Sequence, residues 1–389
     1  MFCTRKVNDD YTWVGADGRR LAMFEGVYDV PRGISFNSYL LMDGKTVLFD
    51  TADVSVCRSF LENVAHGLGG RALDYLVVQH MEPDHSANIA AFMDAYPAVT
   101  VVASQAAFRM MKQFYGSDYA DRRLVVGEGD TLALGRHTLT FLTAPMVHWP
   151  EVIVTYDCTD KVLFSADGLG KFGALDVEDP EGWACEARRY YFGIVGKFGA
   201  QVQALLKKAA AVDIQTVCPL HGPVLTGKEL AEALRLYDIW SRYDVESEGV
   251  MIAYASVYGN TEKAAQLLAE KLKEQGCPKV VLTCVQREDW AEAVEDAFRY
   301  GKLVLAAPTY NGFLFPAMRE FIEHLTERNY QNRQVAFIEN GSWAPAAAKE
   351  MKKLLEGCKN VTLGSTVTIR SAMTEETPAQ LDALAQELR

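Results

Sequence analysis

Between Gln79 and Asn88 the chain reads Gln-His-Met-Glu-Pro-Asp-His-Ser-Ala-Asn, which places His80, Glu82, Asp84 and His85 within six residues. A polar turn capping the next helix would need one of these groups, Asp84 or Ser86. Two imidazoles and two carboxylates exceed that need. A loop turns alternate side chains in different directions, so the stretch could feed two adjacent metal ions. Three further candidates stand apart: His148 between Pro145 and Pro150, Asp167 before Gly168, and His221 in Pro219-Leu220-His221-Gly222-Pro223. The chain has only seven histidines, and four of them are in this set.

Each candidate follows a hydrophobic run. Leu73 to Val78 reads as a short buried strand into the first stretch, and Ile89 to Met93 as the start of a helix. Thr138 to Leu142 leads towards His148, Val162 to Ala166 to Asp167, and Ile214 to Cys218 to His221. Strand C-terminal ends are where layered α/β sheets place their sites. Around them, Leu21 to Val27 and Ser35 to Met42 read as strands, Asp43-Gly44-Lys45 as a hairpin turn, and Val54 to Leu68 as a helix ending at Gly69-Gly70. Lys228 to Tyr243 reads as an amphipathic helix that closes the first domain, residues 1–248.

From Val250 the pattern changes to regular alternation. Strands are expected at Val250 to Ala255, Lys279 to Cys284, Leu303 to Ala307, Gln334 to Ile338 and Val361 to Ile369. Helices fill the gaps, which implies a doubly wound five-stranded parallel sheet over residues 249–389. The loop after the first strand, Ser256-Val257-Tyr258-Gly259-Asn260-Thr261, offers hydroxyl and amide donors before a helix N-terminus, a phosphate cradle. It holds no Lys or Arg, which suits a monophosphate held by neutral donors. There is no Walker lysine and no G-x-G-x-x-G, so ATP and NAD lose ground. Pro308-Thr309-Tyr310-Asn311-Gly312 and Asn340-Gly341-Ser342-Trp343 follow the third and fourth strands. They bring backbone amides and aromatic rings, as a flat ring ligand requires.

At 389 residues with 49% hydrophobic composition the chain can fill two cores. The formal charge of -12 with no basic block argues against nucleic acid. No run is long enough to span a membrane, and no apolar leader is visible at Met1-Phe2-Cys3-Thr4. The eight cysteines form no C-x-x-C pair, which argues against zinc ribbons, rubredoxin-type sites and thioredoxin motifs. Scattered single thiols suit a reducing cytoplasm.

The first half resembles the metallo-β-lactamase fold, an αββα sandwich, through the H-x-[HE]-x-D-H stretch followed by His, Asp and His in order. The hydrolases of that fold usually carry His where this chain has Glu82; carboxylate in that slot shifts preference from zinc towards iron or manganese. The second half resembles flavodoxin, with an aromatic Tyr258 where stand-alone flavodoxins usually have Thr. Together they resemble the flavodiiron proteins. That resemblance implies two irons, one held by His80, Glu82 and His148 and the other by Asp84, His85 and His221, with Asp167 bridging. It implies FMN, with the phosphate at Ser256 to Thr261 and the ring flanked by Thr309 to Gly312 and Asn340 to Trp343.

The activity implied is reduction of O2 to water, of NO to N2O, or both. Electrons are expected from a separate donor such as rubredoxin, since no such domain follows Arg389. A head-to-tail homodimer, or a dimer of dimers, is implied as well. The alternatives are a binuclear zinc hydrolase fused to a flavin-binding module, and a pure electron carrier on a vestigial scaffold. The residues do not choose between O2 and NO.

Overall fold

The computed structural model describes residues 2–389. It divides into two compact units, Met1–Asp238 and Ile239–Arg389. The division falls inside helix Gly227–Ser241, upstream of the expected 248/249 boundary. The last turn of that helix packs within the second unit. Trp240 donates its indole N–H to Glu246 at 2.6 Å, and the Tyr243 ring lies 6.3 Å from that of Phe298.

The first unit is a two-sheet sandwich. One sheet has seven strands, in the order Arg5–Lys6, Tyr11–Trp13, Tyr39–Met42, Thr46–Phe49, Tyr75–Val78, Thr100–Ala103 and Arg123–Val125. The other has six, in sequence order: Thr131–Ala133, Thr138–Thr143, Ile153–Asp157, Val162–Phe164, Thr216–Cys218 and Leu225–Thr226. Their inner faces share one core, in which Tyr39, Phe49, Val77 and Val102 meet Leu139, Phe141, Ile153 and Phe164. Phe49 and Phe164 stack across it with centroids 3.8 Å apart. Helices cover the outer faces: Gly67 of helix Cys57–Leu68 comes so close to Leu40 that a Cβ there would lie 2.7 Å from it.

Several elements differ from expectation. The run Leu21 to Val27 is not one strand; it breaks into Met23–Phe24 and Tyr28–Asp29 around Glu25 and Gly26, both left-handed at φ 52° and 70°. Alternation in such a short run cannot distinguish a hairpin from a strand. The three N-terminal strands and the helices Trp183–Tyr190 and Gly199–Ala209 were not anticipated either. The helix at Pro83–Ser86 is a single turn within the ligand-rich stretch, so Asp84 and His85 sit on a helical turn rather than an open loop.

The second unit follows the expected alternation closely. Its parallel sheet runs second, first, third, fourth, fifth: Val280–Cys284, Ser247–Tyr254, Tyr300–Tyr310, Gln334–Asn340 and Thr362–Ile369. The central strands are apolar on both faces because helices cover both. Ile252, Val304 and Ile338 pack under Leu268, Leu272 and Leu384. The long third strand turns back at its end, where Tyr310 pairs Phe313 around Asn311 and Gly312, at φ 51° and 78°. That Asn-Gly pair supplies the two left-handed positions a two-residue hairpin needs.

Candidate metal centre and flavin cavity

The seven residues expected to bind metal converge in one place in the first unit. His80 lies just past the strand Tyr75–Val78, Asp167 past Val162–Phe164 and His221 past Thr216–Cys218; His148 lies in the turn between Thr138–Thr143 and Ile153–Asp157. In one group His80 Nε2 lies 3.2 Å from Glu82 Oε2, 3.3 Å from His148 Nε2 and 3.2 Å from Asp167 Oδ2. In the other, His85 Nε2 lies 3.0 Å from His221 Nε2 and 3.1 Å from Asp84 Oδ2. Asp167 Oδ1 completes the second group, 3.4 Å from His85 Nε2 and 3.7 Å from His221 Nε2. One carboxylate thus presents one oxygen to each group.

The donor set fits two cations. His80 donates Nδ1–H to Glu151 Oε1 at 2.8 Å, and His221 donates Nδ1–H to the Ser35 carbonyl at 2.7 Å. With those tautomers held, both Nε2 lone pairs point into the cluster. Both oxygens of Asp84 and Oδ1 of Asp167 are buried with no hydrogen-bond donor. Buried carboxylates without donors are costly unless a cation balances them. The same imbalance draws protons to the rings. Burial opposes it, but Asp84 and then Asp167 lift His85 to about 10, and Asp167 and then Glu82 lift His148 to about 9. Metal ions bound there would displace those protons.

Sequence reasoning missed the residues that hold this set. Asp50 accepts the backbone N–H of Gln79 at 2.7 Å and the Gln79 side-chain amide at 2.9 Å, and burial pushes its carboxyl up to about 6. Thr51 Oγ1 donates to the His85 carbonyl at 2.7 Å, and Ser86 Oγ to that of Met81 at 2.7 Å. Glu25 belongs to a cavity of about 320 Å³ beside Glu82 and Asp84, walled by Phe24 and Phe36. The walls of that cavity, and then a hydrogen bond to Glu82, push the Glu25 carboxyl up to about 8. None of these carries a local sequence signal; Glu25 is a single acid in a turn.

The second unit holds a cavity of about 580 Å³ at the C-terminal ends of its strands. All the residues expected at the flavin line it except Gly259; Ala344 and Ser371 were not anticipated. Gly259, at φ 82°, precedes helix Asn260–Glu274, whose first amides have no side-chain cap. Those amides remain for a phosphate. Ser256 Oγ accepts from Gly259 N at 3.1 Å, so the loop is already folded as a cradle. Tyr258 and Trp343 are 91% and 88% exposed, large rings with nothing over them in their own unit. Thr309 Oγ1 also accepts from the amide of Ala346 at 2.9 Å, which ties the third-strand loop to helix Ala347–Leu354. A larger cavity of about 870 Å³ between helices Gly199–Ala209 and Gly227–Ser241 gathers no such groups.

These halves have known counterparts. The family model for the ODP family beta lactamase matches residues 34–222, and that for a flavodoxin domain matches residues 251–383. The chain belongs to the flavodiiron proteins, in which these two domains are joined. It is 27% identical to the rubredoxin-oxygen oxidoreductase of Megalodesulfovibrio gigas over 98% of this chain and 96% of that one. It is 28% identical to the nitric oxide reductase of Moorella thermoacetica over 91% of this chain and 90% of that one. The solved structure of rubredoxin oxygen:oxidoreductase from Desulfovibrio gigas superposes with a TM-score of 0.92 at 26% identity, covering 99% of this chain and 98% of that one.

Proposed function

We propose that this chain is a flavodiiron oxidoreductase that reduces O2 to water, NO to N2O, or both. The observation that carries the reading is the two-sided Asp167 carboxylate between two groups of ligands, in a chain that also folds a flavin cavity. His80, Glu82 and His148 would hold one iron and Asp84, His85 and His221 the other, with Asp167 shared. Two ferrous ions and reduced FMN supply four electrons, which with four protons take O2 to two waters, while two electrons and two protons take two NO to N2O and water.

The chain's own residues set the stage for that chemistry. Glu151 and Ser35 fix the His80 and His221 rings. Phe24 packs edge-on to His221 with centroids 5.5 Å apart and keeps that side of the cluster apolar. Burial, and then the Asp167 charge, keep the nearby Tyr190 phenol protonated. The carboxylate of Glu82 makes the first ligand group harder than an all-imidazole one, which favours iron over zinc. A zinc hydrolase would leave the flavin cavity without a use.

A rubredoxin or similar small redox protein would deliver the electrons, and the reading places the protein in the cytoplasm. No helix among the described residues is long and apolar enough to cross a membrane. The assembly proposed is a head-to-tail dimer, in which the FMN of one copy serves the iron pair of the other. The exposed Tyr258, Trp343 and Phe313 rings beside the flavin cavity support it as surface to be covered.

The deciding experiment is anaerobic: the reduced, iron- and FMN-loaded protein is given O2 or NO, and both rates are followed. Consumption of either gas with the stated stoichiometry supports the reading. Two zinc ions with no iron, and inertness to both gases, would end it.

A further inference from the structure

The fifth strand, Thr362–Ile369, ends beside the flavin cavity and contributes Ser371 to its lining. Ser371 sits at the tip of a tight turn at φ 67°, between Arg370 and Ala372, which form a bridge. Its backbone is fully engaged by one side chain. Asn340 Nδ2 donates to the Ser371 carbonyl at 2.9 Å, and Asn340 Oδ1 accepts from the Ser371 N–H at 3.1 Å. Asn340 is itself buried at the end of the fourth strand, so the clamp is rooted in the sheet. A residue held this way in a left-handed conformation has only its hydroxyl left to offer.

That hydroxyl is paired. Ser371 Oγ lies 2.7 Å from Ser342 Oγ, on the loop after the fourth strand. Two hydroxyls hold two protons, and their mutual bond uses one. The pair therefore offers one outward donor together with free lone pairs, side by side. A ligand edge that carries a carbonyl next to an N–H is the complement of that arrangement. The isoalloxazine ring has such an edge on its pyrimidine side, at C2=O and N3–H.

We propose that Ser371, acting with Ser342, binds the imide edge of the flavin and helps set its reduction potential. The proposal rests on the flavin reading of this cavity and extends it to the fifth-strand loop. A hydroxyl donor at C2=O stabilises the negative charge that the reduced ring carries around N1 and that oxygen. Reduced flavin therefore gains more from the pair than oxidised flavin does.

The test uses the full-length protein stripped of FMN and titrated with FMN and with riboflavin, read by flavin fluorescence. A neutral hydrogen bond contributes about 1 kcal/mol, roughly a five-fold change in affinity. Ser371→Ala and Ser371→Gly are each expected to weaken both flavins by about that factor, to move the midpoint potential negative, and to leave the unfolding temperature of the flavin-free protein unchanged. Adding Ser342→Ala should cost less than the product of the single effects, because the two hydroxyls act as one unit.

Wild-type affinity and potential in both Ser371 variants would overturn the proposal. So would loss in the alanine variant with wild-type behaviour in the glycine variant, since that pattern marks a backbone role at positive φ. A penalty confined to FMN and absent with riboflavin would place Ser371 at the phosphate, also against the proposal. If the wild-type protein binds neither flavin, the flavin reading itself has failed.

Discussion

Glu151 Oε1 accepts from His80 Nδ1 at 2.8 Å and from the backbone N–H of Met81 at 2.9 Å. One oxygen thus orients both the His80 ring and the chain that carries it. A carboxylate behind a ligating imidazole fixes the tautomer and raises the ring's basicity, and losing it typically costs 10- to 100-fold in metal affinity or activity. Glu151→Ala is expected to lose iron from the His80 group by about that factor, and Glu151→Gln by less. Iron titration of the stripped protein measures this; equal affinity at both sites would refute it.

Asp167→Asn tests the shared carboxylate. Asn has one oxygen, so it cannot serve both ligand groups as Asp167 does through Oδ1 and Oδ2. Both irons are expected to weaken, with turnover down by at least about 100-fold, the upper end of the range for outer partners. Asp84→Asn should weaken only the group of His85 and His221. Metal content after dialysis separates the two cases, and full activity in Asp167→Asn would remove the bridge.

Gln286 grips Ser256 by both backbone groups, accepting from its N–H at 2.9 Å and donating to its carbonyl at 3.0 Å. Gln286→Ala removes two hydrogen bonds that hold the cradle, at about 1 kcal/mol each. FMN affinity should fall by up to roughly 30-fold with iron unchanged. Ser256→Ala with Thr261→Ala should fall further, because bonds to a charged phosphate are stronger. Iron loss with flavin kept would reverse the assignment of the two units.

Mixing tests the proposed assembly. Asp167→Asn lacks a working metal site, and the Ser256→Ala, Thr261→Ala protein lacks a working flavin site. If electrons cross between copies, unfolding and refolding the two together should restore up to about a quarter of wild-type activity, since half the dimers are mixed and each has one intact pair of sites. No recovery, with mixed dimers confirmed by sedimentation, would mean transfer stays within one chain.

His137 provides a pH dependence away from the metals. Its ring is buried, 2.8 Å from Asp157 and 3.1 Å from Asp10. Burial opposes protonation, but Asp157 and then Asp10 outweigh it and raise the pKa. A histidine raised on folding stabilises fully below its unfolded value, and that stability is lost as pH rises through the folded value. The first unit should therefore lose stability as pH climbs above about 6.5. His137→Gln should be less stable at pH 6 and should flatten that slope; an unchanged slope in thermal melts would exclude the residue as its source.

That the seven candidate side chains lie at strand ends was legible in the amino-acid sequence, and the fold brings all seven together. Short buried strands announce themselves by apolar runs, and a polar ligand just past such a run has few other uses. The alternation of the second unit was legible for the same reason, since each element's pattern is complete within itself, although the third strand, expected at Leu303 to Ala307, runs from Tyr300 to Tyr310. The division of the seven around Asp167 came from the resemblance and not from their spacing; only the tertiary structure decided which groups hold them. Glu151 stands 71 residues from His80, and Ser35 stands 186 from His221. Gln286, Asn340 and Ser371 act through backbone hydrogen bonds between neighbouring strand ends. Such partners are chosen by sheet order and register, which bring distant residues together, and no local pattern of residue types records that choice.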